Sequence, residues 1–419
     1  MIAVLLPARL TRWYTDNRIL AWICILIFVN QLGFGSIIPT VPLYALTFGV
    51  PLSAIGLTIA AYGLARFLVG VPAGLISDKY GRRYALALGG LITVIGNVMC
   101  ALAPSYLPFL AARFVAGFGA GFVITASQIM LADISTPDRR GRIMATYSGV
   151  FAFAVGMGPL PGGILADWYG LSAPFWAYSL MGAGAAAVAW FRVPETKYLR
   201  SATGSPAATG SSAEAVKKPS FAGQMRVLAG RPGFMLVSLV GFSNFFARTG
   251  GLFNVIPVLG QERLGLGPDQ IGFGLAMISV MAVLLSYPSG VLADRFGRKP
   301  LIVPSTVLTG LSFVFFLYSP TYLWFLVACT VWAIATGFGS SAPSAYAADI
   351  TPPGMNAAAM SSFRSIAETG YVIGPLMLGA IADLFGAEVA LGFTSVFLCV
   401  VALLFGLYAP EKRRRPTAI

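Results

Sequence analysis

Apolar runs, each about the length of a membrane-crossing helix and parted by short polar stretches, fill almost the whole chain. They centre near residues 30, 64, 94, 120, 155, 182, 246, 280, 310, 335, 370 and 398. A helix needs roughly 20 mostly apolar residues to cross the hydrocarbon of a bilayer. No water is present there to satisfy peptide groups, so such a run must bond its own backbone, as a helix does. The pattern predicts an all-α membrane protein of twelve transmembrane helices. Arg9, Arg12 and Arg18 precede the first run in the manner of a signal peptide. No small-residue cleavage site follows, so the run is expected to stay in place as the first span.

The pattern is interrupted once. Between Glu195 and Arg231 the chain turns polar, and Ser201 to Ala215 is low-complexity Ser, Ala, Gly and Thr, the composition of a flexible linker. Phe221 to Leu228 reads as a short interfacial helix inside it. The runs on either side repeat each other at an offset of 216 residues. That offset carries Ile55-Gly56 onto Ile271-Gly272, Asp78, Gly81 and Arg82 onto Asp294, Gly297 and Arg298, and Gly158-Pro159 onto Gly374-Pro375. A constant register over so long a stretch marks a duplicated six-helix unit, with parallel repeats about an axis along the membrane normal. The expected organisation is an N-terminal six-helix bundle (1–193), a cytoplasmic linker (194–232), a C-terminal six-helix bundle (233–409) and a basic cytoplasmic tail (410–419).

Composition agrees with lipid as the surrounding medium. A soluble domain carries roughly 25% charged residues; this chain has 10%, with 57% apolar residues and a mean hydropathy of +0.80. The net charge of +13 lies in short clusters between spans and forms no continuous basic face, which argues against nucleic acid as a partner. With both termini in the cytoplasm, 23 of the 28 Lys and Arg residues fall on that side and only Arg263 falls outside. The positive-inside bias therefore sets the orientation, in a cell (inner or plasma) membrane. The absence of His removes imidazole metal sites and His-based acid–base chemistry, and no cofactor is expected. Cys24, Cys100, Cys329 and Cys399 fall inside apolar runs and read as small core residues.

Between spans two and three the chain reads Gly74-Leu-Ile-Ser-Asp78-Lys-Tyr-Gly81-Arg82-Arg83. Between spans eight and nine it reads Gly290-Val-Leu-Ala-Asp294-Arg-Phe-Gly297-Arg298-Lys299. Gly74 and Gly290 are expected to let a neighbouring helix approach, and Gly81 and Gly297 to make tight turns with positive φ. An anion at a helix C-terminus opposes the dipole, so Asp78 needs a partner: Arg82, or the N-terminus of a neighbouring helix.

These loops resemble the signature loop of the major facilitator superfamily, in both halves, and with twelve spans and a central linker the resemblance covers the whole chain. It implies two six-helix bundles around a central cavity (the major facilitator fold), working by alternating access, with the loop residues as gate or clamp. Span four contains Arg113-Phe-Val-Ala-Gly117-Phe-Gly119-Ala-Gly121, similar to a family motif whose arginine takes part in proton movement, though Ala116 stands where the family has glutamine. Gly158-Pro159-Leu-Pro161-Gly162-Gly163 on span five resembles the motif of the family's antiporters, with Ala154 at the usual upstream glycine. Asp133 and Arg139 resemble an acid-x6-Arg pattern, which implies a salt bridge holding loops together; after Asp349 that arginine is replaced by Met355.

Charges deep in the spans have no counterpart at the repeat offset: Arg66 faces Ala282, Arg113 faces Cys329, Arg364 faces Ser148 and Glu368 faces Ala152. Arg248 on span seven has no arginine near its partner position on span one. Ionisable groups within spans are costly and point to function. Four arginines against one carboxylate make the interior net positive. Asn30, Gln31, Tyr62, Arg66, Gln128, Asn244, Arg248, Asn254 and Tyr371 are the expected substrate cavity, with an anionic, zwitterionic or uncharged amphiphile as substrate. Glu368 is the one acid near the bilayer midplane, and a carboxyl's proton affinity changes with desolvation and with nearby cations. Glu368, with Arg364 one turn away and Arg113, is the expected proton-coupling set. The function expected is proton-coupled efflux similar to the drug:proton antiporters, with small molecule, protons and lipid as partners and a monomer as the working form. A proton-coupled importer or facilitator of an organic anion is the alternative, and a membrane sensor or receptor the non-transport one. An intramembrane enzyme would need clustered His or paired acids, which the spans lack.

Overall fold

The structure is a computed structural model and describes residues 17–135, 139–197, 221–339, 341–352 and 355–410. The low-complexity part of the linker and the tail beyond Pro410 lie outside them. The described residues are helical with no strand. Among the described residues nine helices are long and apolar enough to cross a membrane, and eleven when two bent pairs are each taken as one. The sequence's sixth span corresponds to the 19-residue apolar helix Ala173–Phe191, which is not among these eleven.

Several spans are broken where the sequence places Pro or Gly. Span two is Leu52–Leu68 followed by Gly70–Tyr80, with a bend of 41°. Span five runs Gly141–Tyr169 and is interrupted at Gly158, because Pro159 offers no N–H to the preceding turn. Span eleven, Asn356–Phe385, continues through Pro375 as one helix, so the same proline leaves the repeat-related helix unbroken. In span seven the helix Pro232–Phe246 passes into a π-helical segment, Ala247–Val255, and then into Ile256–Leu264. π-Helical turns are rare and gather at functional sites, and this one carries Arg248 and the pair Gly250-Gly251.

Two compact units emerge, Met1–Ile38 with Ala61–Thr209, and Pro39–Ala60 with Gly210–Ile419. The first is built around Ile23, Ile27, Val69, Phe122 and Met130, all nearly inaccessible. Its spans one and five meet through small residues: a Cβ on Gly158 would strike Gly35, and one on Gly162 would strike the Ser36 carbonyl. The second has its core around Val237, Val240, Ile302, Tyr346 and Phe405. There Gly250 meets Gly374 and Gly56 meets the Pro375 carbonyl, and Asp383 accepts hydrogen bonds from the Leu52 and Ser53 N–H groups at 2.7 and 2.9 Å.

The linker contains the helix Phe221–Ala229, turned by 87° from span seven. Its Leu228 is buried with Phe234 and Ala359, and the Met225 sulfur accepts from the Ser362 hydroxyl. Arg231 donates to the Ile350 carbonyl at 3.0 Å. The interfacial helix expected from the sequence is therefore an element of the second unit.

The loop glycines divide into two classes. Gly81 and Gly297 hold φ of +110° and +96°, conformations that side chains with a Cβ rarely adopt. Gly74 and Gly290, expected to admit a neighbouring helix, do not: a Cβ at either would meet nothing within 4 Å. The close approaches are made by Gly35, Gly158, Gly162, Gly250 and Gly374 instead.

Candidate functional site

In the second unit, spans seven, nine, ten and eleven enclose a cavity of about 320 Å³. Asn244 and Arg248 come from span seven, Ser305, Thr306 and Thr309 from span nine, and Trp332 and Thr336 from span ten; Phe245 and Phe363 also line it. Arg248 lies 16 residues from each end of a span that runs Pro232–Leu264, yet it remains exposed because it opens onto this space. Its guanidinium stands 5.3 Å from the Phe253 ring and forms no ion pair among the described residues. An arginine at that depth is costly unless water or an anionic partner reaches it.

Of the expected cavity residues, Asn244 and Arg248 line this space and Tyr371 adjoins Arg248 electrostatically. Asn254 is fully buried, and its amide donates to the Pro375 carbonyl at 3.3 Å. The remainder belong to the first unit. Asn30 and Gln31 are buried and bonded to each other at 3.0 Å, Arg66 and Gln128 are half-buried, and Tyr62 is buried and stacked on Phe34. Arg113 is buried with its guanidinium 4.4 Å from the Tyr62 ring, and its Nε and Nη1 find no acceptor among the described residues. Cation–π contact there offsets part of the desolvation cost. Tyr178, not anticipated from the sequence, faces Tyr62, Arg113 and Arg66.

On span eleven Arg364 pairs with Glu368 at 2.9 Å, with side-chain exposures of 62% and 23%. Neither lines the cavity, but Phe363 and Ala367, the residues immediately before them, do. The carboxylate thus sits one residue from the cavity wall with its counter-charge one turn away.

The loop after span two is the most heavily bonded charged region described. Arg82 is buried; it pairs with Asp78 at 2.8 Å and with Asp133 at 2.9 Å, and donates to the Ser77 carbonyl. Thr196 donates to Asp133. Glu195, at the end of span six, accepts from the Arg82 and Arg83 N–H groups and caps span three. Arg83 stacks on Trp190 at 5.0 Å. The expected Asp133–Arg139 bridge is not formed: Asp133 is taken by Arg82, and Arg139 donates to the Asn17 side chain at 2.8 Å. In the second repeat Arg298 reaches Asp349 at 3.4 Å; Asp294 is on the helix, with its side chain outside the described residues.

Sequence reasoning passed over the hydroxyl-lined wall of the cavity. Ser305, Thr306, Thr309 and Ser312 recur at helical spacing on span nine, a polar stripe that was readable.

Repeated helical units that cross a bilayer, with a polar cavity deep inside a unit and charged clamps on the loops, are the build of a secondary transporter. The model of the Major Facilitator Superfamily matches residues 23–279 and 237–419, and the chain belongs to that superfamily. It is 27% identical over 390 residues to an uncharacterized MFS-type transporter of Methanocaldococcus jannaschii, covering 93% of this chain and 97% of that one. It is 25% identical over 363 residues to multidrug resistance protein 2 of Bacillus subtilis, covering 85% and 87%. Among solved structures it resembles a bacterial homologue of the human lysosomal transporter Spinster in an inward-facing, occupied conformation, with a TM-score of 0.78, 17% identity and coverage of 94% and 97%. The protein is a multi-pass membrane transporter of small molecules, not an enzyme.

Proposed function

We propose that the protein exports a small organic anion or zwitterion of amphiphilic character from the cytoplasm in exchange for protons, with both termini cytoplasmic and the monomer as the working unit. One observation carries the substrate class: Arg248 opens onto a cavity at the middle of its span without an ion-pair partner among the described residues. A carboxylate would supply the missing charge with bidentate geometry. Asn244 adds a polar contact, and Trp332, Phe245 and Phe363 accept the apolar part.

Coupling is assigned to Glu368. Its ion pair with Arg364 is half open to solvent, and protonation of the carboxyl removes that pair. Movement of span eleven carries Glu368 and Arg364 together, but it changes the solvent and the other charges that Glu368 meets and with them its proton affinity, and Phe363 and Ala367 carry the same movement to the cavity wall. Arg113, buried against Tyr62, completes the proton-handling set. Similarity to multidrug resistance protein 2 supports efflux; the arginine excess suits import of an organic anion equally, and flux direction separates the two.

The test uses proteoliposomes with an imposed pH gradient. Glu368→Gln should abolish gradient-driven accumulation of substrate while leaving binding and substrate exchange in place. Concentration of substrate by Glu368→Gln under the gradient would exclude the coupling role. Proton-driven uptake in the inward direction would favour the importer.

A further inference from the structure

The cavity's hydrogen-bonding groups are unevenly divided. Each of its five hydroxyls donates to a backbone carbonyl in its own helical turn. Ser305 and Thr306 bond Ile302 at 3.1 and 2.7 Å, Thr309 bonds Ser305 at 2.8 Å, Thr336 bonds Trp332 at 2.9 Å and Ser344 bonds Ser341 at 3.0 Å. A hydroxyl has one proton and two lone pairs. With the proton committed to the helix, what remains for the cavity is acceptor capacity. Donors come from Arg248 and Asn244 on span seven and from the Trp332 indole on span ten, and no carboxylate among the described residues lines the space.

A ligand must match both walls. A plain lipophilic carboxylate would answer Arg248 but set hydrocarbon against the lone pairs of spans nine and ten. Polar groups left dry in this way cost affinity. A plain amine would suit the hydroxyls but leave the guanidinium unanswered and add a second positive charge. We propose that this cavity selects organic carboxylates that also carry an N–H or O–H donor, amino or hydroxy acids in kind, with an apolar or aromatic body packed on Trp332, Phe245 and Phe363. The proposal rests on the reading of the cavity as the substrate site. A volume of about 320 Å³ suits a compact aromatic acid.

Four matched probes test it by calorimetry on the full chain in lipid nanodiscs. Phenylalanine carries carboxylate and ammonium, phenyllactate carboxylate and hydroxyl, phenylpropionate carboxylate alone, and phenethylamine ammonium alone. The first two should bind about three- to tenfold more tightly than phenylpropionate, the range of a single net hydrogen bond, and phenethylamine should bind most weakly. Thr306→Val together with Thr309→Val, which keeps the side-chain shape, should shrink the gap between phenyllactate and phenylpropionate below about twofold. Equal binding of phenylpropionate and phenyllactate, both weakened by Arg248→Ala, would overturn the donor requirement and leave the anion site standing. Failure of all three carboxylates to bind, or indifference of their binding to Arg248→Ala, would overturn the reading of the cavity itself and this inference with it.

Discussion

Replacing Arg82 with Ala and Asp78 with Asn should separate the stability of the loop cluster from its gating. Arg82 and Asp133 are both 3% exposed as a pair, whereas Asp78 is 65% exposed. Removing the cation leaves the Asp133 carboxylate buried with only the Thr196 hydroxyl, and breaking a buried pair from one side costs about 3–5 kcal/mol. The Ser77 carbonyl loses its donor in the same step. Asp78→Asn removes a solvent-screened charge, and such pairs contribute between zero and about 1 kcal/mol. Arg82 also keeps Asp133 in that variant, so its burial stays compensated. Thermal unfolding in detergent, followed by fluorescence-detected size-exclusion chromatography, should show a large loss for Arg82→Ala and a change near the noise for Asp78→Asn. Transport should fall in both, because a latch that forms and breaks in each cycle needs the Asp78 charge even where stability does not. Equal destabilisation by the two substitutions would refute the exposure argument. Wild-type transport by Asp78→Asn would refute the latch.

Further outcomes follow from the same geometry. Gly81→Ala should cost about 1–3 kcal/mol, since φ of +110° is a region left almost wholly to glycine and the new methyl would press on the Glu195 carboxylate; Gly74→Ala, facing open space, should unfold at the wild-type temperature in the same assay. Arg248→Ala should weaken an anionic substrate at least about tenfold, or about 1.4 kcal/mol, and a neutral one far less; a simple cation transported equally well by both forms would remove the positive-cavity argument. A reporter fused after Ala215 should report the cytoplasm, and its appearance outside the cell would overturn the orientation read from the basic residues.

The span pattern and the repeat were legible because lipid imposes one length and one hydrogen-bonding solution on every crossing segment. Broken helices were half legible. Pro159 interrupts its helix as its chemistry requires, while Pro375 at the equivalent repeat position leaves an unbroken one. Gly74 and Gly290 were misread because small size permits close approach without causing it. The partner of Asp133 was misassigned for a related reason: spacing along the chain favours Arg139, but Arg82 arrives from another helix. Deep charge was the most informative signal for the site, since Arg248 could be singled out without any structure. The cavity around it needed four helices placed together, and the π-helical segment that presents it has no periodic signature in sequence.

The seating of the helix Phe221–Ala229 has a practical consequence for producing the halves as separate polypeptides. Leu228, Met225 and Arg231 anchor that helix to residues of the second unit: Phe234 and Ala359, Ser362, and Ile350. Glu195, Thr196 and Lys197 are tied to the first, through Arg82, Asp133 and Lys79. A gene divided between codons 198 and 220 therefore yields two fragments that each keep their own cap. One divided at 230 strips the carboxy-terminal fragment of a hydrophobic cover and leaves Leu228 of the other without its pocket.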